Sequence, residues 1–388
     1  MFFGKPKMAD EERKKWSEEI EQLIDADRTQ EAYNKALEFD KLDKDAAGYH
    51  MSYFYFMGEC VREDRREALK RIEKYVRRVP DDPEGWYRYG LFLRLEGNEP
   101  EAAECFEKAS GMGHIQGTVD LAGSCKILAD QFRNQVAGTL NVKEYGECNN
   151  RAVSLYIRSM ALYDKIVQEH PGELEDADWQ GYGRAADMMY FLSLAGEVKK
   201  VNVKDPESQN YLNLGLQLVS GKGNVKEQRY WRINAARIYS QMEQAGWKAM
   251  AEYFRMSMCL YDCSEKKNQP MFANARWHMD RIQELNGSLS EEQRKSYPED
   301  FADVTELYGK MEKNTGRLWK TGCARGNIRI FPRTICRARS RQWKTADGLW
   351  ILRRRSETAL RFSRILPGSR KRRKRDCLDY SAERRDKE

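Results

Sequence analysis

Histidine, proline and paired cysteine are scarce in this chain. Only four histidines, His50, His114, His170 and His278, occur in its 388 residues. None stands three to five residues from another His or from a Cys, the spacing a zinc site requires, so no metal is expected. The nine cysteines, Cys60, Cys105, Cys125, Cys148, Cys259, Cys263, Cys323, Cys336 and Cys377, are odd in number and scattered. That argues against a disulfide framework and fits a reducing, cytoplasmic setting. No stretch approaches about eighteen consecutive apolar residues, so no membrane span is expected. The opening Met1–Pro6 turns charged at once, unlike a secretory leader. Alternating β-branched runs are missing as well, which leaves helices as the building material.

What is present is a period. Thirty-four residues separate Tyr55 from Tyr89, Ala68 from Ala102, Ile72 from Phe106 and Tyr75 from Ala109. A repeat of this length marks a stacked helical hairpin, a unit that buries its apolar face only against a neighbour. The clearest unit runs from Pro83 to about Gln116, with Trp86, Tyr89, Gly90 and Leu93 followed by Gly97, Ala102, Phe106 and Ala109. Trp16 precedes Ala32 by the sixteen residues that separate Trp86 from Ala102, which places a first hairpin at Glu11–Asp25 and Thr29–Phe39. A second runs from about Asp45 to Val79, joined at Arg62–Asp64 and stopped by Pro80 and Pro83.

These residues resemble a tetratricopeptide repeat. The continuation Ala102–Ala109, Gly113-His114 and Leu121-Ala122-Gly123 is also similar to the Sel1-like relative of that superfamily. The resemblance is specific over about residues 11–123. It implies that the first-helix Trp and apolar residues pack on the second helix, while small residues at Gly90 and Ala102 let the two backbones approach. It also implies a concave groove lined by the first helices, here by Tyr53, Met57, Tyr87 and Leu91, fit for an apolar-anchored protein or peptide ligand. The alternative is that these side chains pack against the next hairpin, since Tyr49, Tyr53, Phe54, Tyr55 and Phe56 cannot all face one groove. Relatives that capture a chaperone's C-terminal carboxylate use Lys, Asn and Arg at the groove positions; here stand Ser17 and Glu21, Tyr53 and Met57, Tyr87 and Leu91. That activity is not expected.

Beyond Gly117 the helical period continues while the motif fades. Helices are expected at Asn150–His170, Asp176–Ala195, Pro206–Val219, Lys226–Gln244, Trp247–Cys263, Pro270–Leu285 and Ser290–Lys313, each bounded by Gly, Asn, Ser or Pro. Trp179, Tyr182, Gly183 and Ala186 repeat the first-helix spacing. Gly181–Ala186 formally fits a dinucleotide fingerprint, but it lacks the preceding strand that would put a pyrophosphate on a helix N-terminus. Cys259 and Cys263 share a helix face and read as small packing residues. No nucleophile elbow and no Cys–His pairing appears, so neither an enzyme nor a cofactor is expected.

The net charge of +7 hides a split: residues 1–316 carry 45 basic and 54 acidic side chains, residues 317–388 carry 23 and 7. The second stretch includes the run Arg370, Lys371, Arg372, Arg373, Lys374, Arg375. The expected organisation is an all-α solenoid of stacked antiparallel hairpins over 1–316, followed by a basic, disordered tail over 317–388. That tail could contact nucleic-acid phosphates, with Trp343, Trp350 and Phe362 as stacking surfaces, or lie on a membrane surface, or be an out-of-frame extension. The expected function is a non-catalytic protein- or peptide-binding scaffold; the alternative is a nucleic-acid-associated adaptor that uses the tail.

Overall fold

The computed structural model describes residues 8–138, 142–198, 203, 205–266 and 269–286. The expected helix Ser290–Lys313 and the basic tail, including Arg370–Arg375, lie outside the described residues. Thirteen helices and no strand occur among the described residues. The chain divides into two compact units, the first ending at Thr118 and the second starting at Val119.

The first unit is a stack of antiparallel hairpins. Helices α1 (Asp10–Asp25) and α2 (Thr29–Leu42), α3 (Gly48–Met57) and α4 (Arg65–Arg78), and α5 (Pro83–Leu95) and α6 (Glu99–Gly111) form three pairs, each packed on the next. Polar caps set the starts: Asp64 accepts from Glu67 N–H at 2.9 Å, Asp82 from Glu84 N–H at 3.1 Å and Asn98 from Glu101 N–H at 3.5 Å. Each satisfies a backbone donor that the first helical turn leaves unpaired. Pro83 and Pro100 fall in first turns, where proline costs no hydrogen bond.

Small residues perform the expected steric task. A Cβ built on Gly90 would lie 2.6 Å from Phe106 Cε1, so only glycine lets α5 approach α6. Ala102 and Phe106 are fully buried in the same crossing. In the first hairpin Trp16 stacks on Phe39, ring centres 5.8 Å apart. Helix α3 is too aromatic for one face and is buried almost all round. Phe54 meets Tyr33 of the preceding hairpin at 5.2 Å, Phe56 stacks on Phe92 of the next at 4.0 Å, and Tyr49 meets Tyr75 of its own hairpin at 5.4 Å.

Helix α7 (Ile115–Gly138) spans the division between the units. The second unit continues with α8 (Val142–Glu169), α9 (Asp176–Leu194), α10 (Pro206–Gln217), α11 (Gly223–Gln244), α12 (Lys248–Lys266) and α13 (Gln269–Asn286). Here sequence neighbours are not always partners. Helix α9 packs on α8, α11 and α12, while α10 packs on α8 and α11. Gly183 permits the α9–α12 crossing, because a Cβ there would collide with the Phe254 ring. The same glycine settles the fingerprint question: Gly181–Ala186 is mid-helix, with Gly183 spent on packing.

One buried polar network in the second unit centres on Asp164. Arg237 on α11 grips both oxygens of Asp164 on α8 at 2.7 and 2.6 Å, and Tyr182 on α9 donates to Asp164 Oδ1 at 2.5 Å. One carboxylate thereby ties three helices, and burying it is tolerated because its lone pairs are filled.

Candidate functional site

The four sequence-derived groove residues lie on two first helices, Tyr53 and Met57 on α3 and Tyr87 and Leu91 on α5, with unequal access. Met57 is partly exposed, whereas Tyr53, Tyr87 and Leu91 are buried, Tyr87 to 1%. Tyr53 donates to Glu59 Oε2 at 3.1 Å. The Tyr87 ring packs between Phe106, 5.9 Å away, and the imidazole of His114, stacked at 4.5 Å.

The first unit also holds polar contacts that the sequence reading did not foresee, involving Ser17, His50, Glu84, Arg88 and His114. Ser17 Oγ on α1 and His50 Nε2 on α3 share a 2.8 Å hydrogen bond. Arg88 on α5 lies 3.5 Å over the Tyr49 ring, reaches the Tyr49 carbonyl at 3.3 Å and donates to the Tyr49 hydroxyl. His114, just before α7, bonds Glu84 Oε2 at 2.9 Å through Nε2. Its Nδ1 accepts from Gly117 N–H at 2.9 Å, which fixes the proton on Nε2 and makes His114 the donor to the Glu84 carboxylate. Tyr75 completes the set by donating to Asp82 Oδ2 at 2.7 Å. A signal for part of this was legible: His50 and Glu84 are thirty-four residues apart and so hold the same repeat position.

Electrostatics decide what the set can do. Burial, assisted by the nearby Arg88 charge, pulls His50 down to about 3. The imidazole therefore stays neutral at ordinary pH and is far too weak a base to take the Ser17 proton, so a serine–histidine catalytic reading fails on chemistry. Burial pushes Glu84 up, yet the His114 hydrogen bond and the Arg88 charge outweigh it and leave the carboxyl below its usual range. Burial raises Glu21, which Arg88 opposes, while Glu84, Asp25 and Asp82 push it further up. Glu21 is exposed on the surface of α1, so its carboxylate is the reachable charge of this face. Arg88, buried under Tyr49, is not.

Among the described residues no group of three His, Cys, Asp or Glu is placed to hold a metal ion. Cys259 is a buried free cysteine whose thiol burial pushes up to about 11, far from a reactive thiolate. Among the described residues no helix is long and apolar enough to cross a membrane.

No family model matches the chain, and no curated protein matches it. Among solved structures, it aligns with a protective antigen of uropathogenic Escherichia coli strains described as displaying an SLR fold. The alignment covers 81% of this chain and 68% of that one, at 13% identity and a TM-score of 0.24. Nothing is transferred from that likeness: the class of this chain, an all-α protein of stacked helical hairpins, stands on its own helices.

Proposed function

We propose that the protein is a non-catalytic scaffold that binds a protein or peptide on the first-helix side of unit one. The supporting observation is the alignment of equivalent repeat positions: Ser17, Tyr53 and Tyr87, then Glu21, Met57 and Leu91, come from α1, α3 and α5 in turn. Such a side offers a row of anchors at the rise of successive hairpins. With Tyr53, Tyr87 and Leu91 buried, the reachable positions of that row are Ser17, Glu21 and Met57. Affinity capture with the full chain, compared with Met57→Glu and Glu21→Lys, tests this reading. Both substitutions lie at accessible positions and should leave helix content by circular dichroism intact while removing the same captured proteins. Unchanged capture by both would refute it.

A second reading is favoured by the charge split. A stretch with 23 basic and 7 acidic residues attached to a net-acidic body suits polyanion binding through Arg370–Arg375, with the helical body recruiting a protein. Its mark is binding to nucleic acid that weakens steeply as salt rises.

A further inference from the structure

The second unit carries a cluster of exposed aliphatic and basic side chains on α10 and the first half of α11. On α11, Lys222, Val225, Lys226, Arg229, Arg232 and Ile233 recur at the three- and four-residue spacing of one side of a helix. Helix α10 lies antiparallel beside it: Asn234 donates to Tyr211 OH at 2.8 Å, and one turn away Gly215 leaves room for Tyr230. Helix α10 adds Leu214 and, at its C-cap, Leu218. These apolar side chains are unusually open, with Leu218 87%, Val225 63%, and Leu214 and Ile233 each 54% exposed. Isolated exposed aliphatics are ordinary, but four on two adjoining helices form a patch.

Of the charges beside the patch, only Arg232 has a carboxylate partner among the described residues. Arg232 pairs with Asp262 at 3.0 Å, and Arg229 bonds the Ser220 carbonyl and hydroxyl at 3.2 and 3.0 Å. Lys222, Lys226 and Arg229 have no carboxylate partner among the described residues. We propose that this α10–α11 face docks an acidic amphipathic helix of a partner protein. The aliphatic seam takes the partner's apolar stripe, and the lysines and arginines take its flanking carboxylates. Nucleic acid would use the cations but leave four aliphatic side chains without a role. A membrane surface would call for Trp or Tyr at the interface, and this face presents neither. The surface is separate from the first-helix side of unit one, so the two proposals stand or fall apart.

Fluorescence anisotropy with the full chain tests it, using a labelled synthetic helix of about five turns with Leu at i, i+3, i+4 and i+7 and Glu elsewhere. Two control peptides replace Glu with Lys or scramble the order. The Glu peptide should bind, both controls should bind at least about tenfold more weakly, and Leu218→Glu and Arg229→Glu should each cost about tenfold. Both substitutions are at exposed positions, and circular dichroism confirms the fold. No binding of the Glu peptide, equal binding of the scrambled one, or indifference to both substitutions would overturn the proposal. So would variants that lose only co-sedimentation with phosphatidylserine vesicles.

Discussion

At the residue scale, the most informative group is His50. A histidine held at about 3 in the fold and near 6.5 when unfolded is protonated more readily by the unfolded chain. The unfolded state therefore binds the extra proton, and stability rises with pH across that interval. His50 contributes its stabilisation in full above about 6.5 and loses it as pH falls toward about 3, with a slope approaching about 1.4 kcal/mol per pH unit. Urea unfolding of the wild type and His50→Gln at several pH values reads this directly. The variant should be less stable at pH 7 yet show a shallower loss between pH 6 and 4; parallel curves would mean that His50 is not buried as described. The residue was visible in the sequence as one of four histidines. Its burial was not legible, because nothing local to Tyr49-His50-Met51 tells which hairpin will cover it.

Element by element, the breaks between helices were easier to read than the pairings. Pro83, Asp64, Asn98 and Gly97 punctuate the first unit through φ restriction and capping, which are local effects that sequence carries. Gly97 itself adopts φ 87°, a conformation that favours glycine. Several helices accordingly start and stop within a few residues of expectation, Asp10–Asp25 against Glu11–Asp25 and Asp176–Leu194 against Asp176–Ala195, whereas α8 starts at Val142 and not at Asn150, and the bounds of α7 were not legible. Pairing depends on distant surfaces. Gly183 announced a close approach, but that the approaching ring is Phe254, seventy-one residues on, is a tertiary fact.

Two substitutions probe this scale. Ala102→Leu should overpack the α5–α6 crossing against Phe106 and cost about 1–3 kcal/mol, while Glu104→Leu, exposed on the same helix, should cost little. Equal thermal stability of the two variants would show the repeat register to be wrong. Asp64→Ala should remove the α4 cap and cost about 1 kcal/mol, visible as a lowered urea midpoint with unchanged slope.

At the scale of the whole molecule, charge distribution and repeat architecture lead to different experiments. If the basic stretch is functional, deleting residues 317–388 should abolish salt-sensitive polyanion binding without reducing the helix content of the described units. Titration at several salt concentrations checks it, and identical binding by the shortened chain would assign the polyanion site to the body. The fold class was legible because a 34-residue period calls for helical hairpins that bury their apolar faces against one another. The partner was not, because Met57 and Glu21, the residues proposed to choose it, are ordinary in sequence and no local pattern there names a ligand.

The most direct test of the scaffold reading is a hydrogen–deuterium exchange footprint of the full chain with and without its captured partner. Slowed exchange is expected along α1, α3 and α5, centred on residues 17–21, 53–57 and 87–91, with α2, α4 and α6 unchanged. Protection confined to the second helices, or none in the first unit, would contradict it.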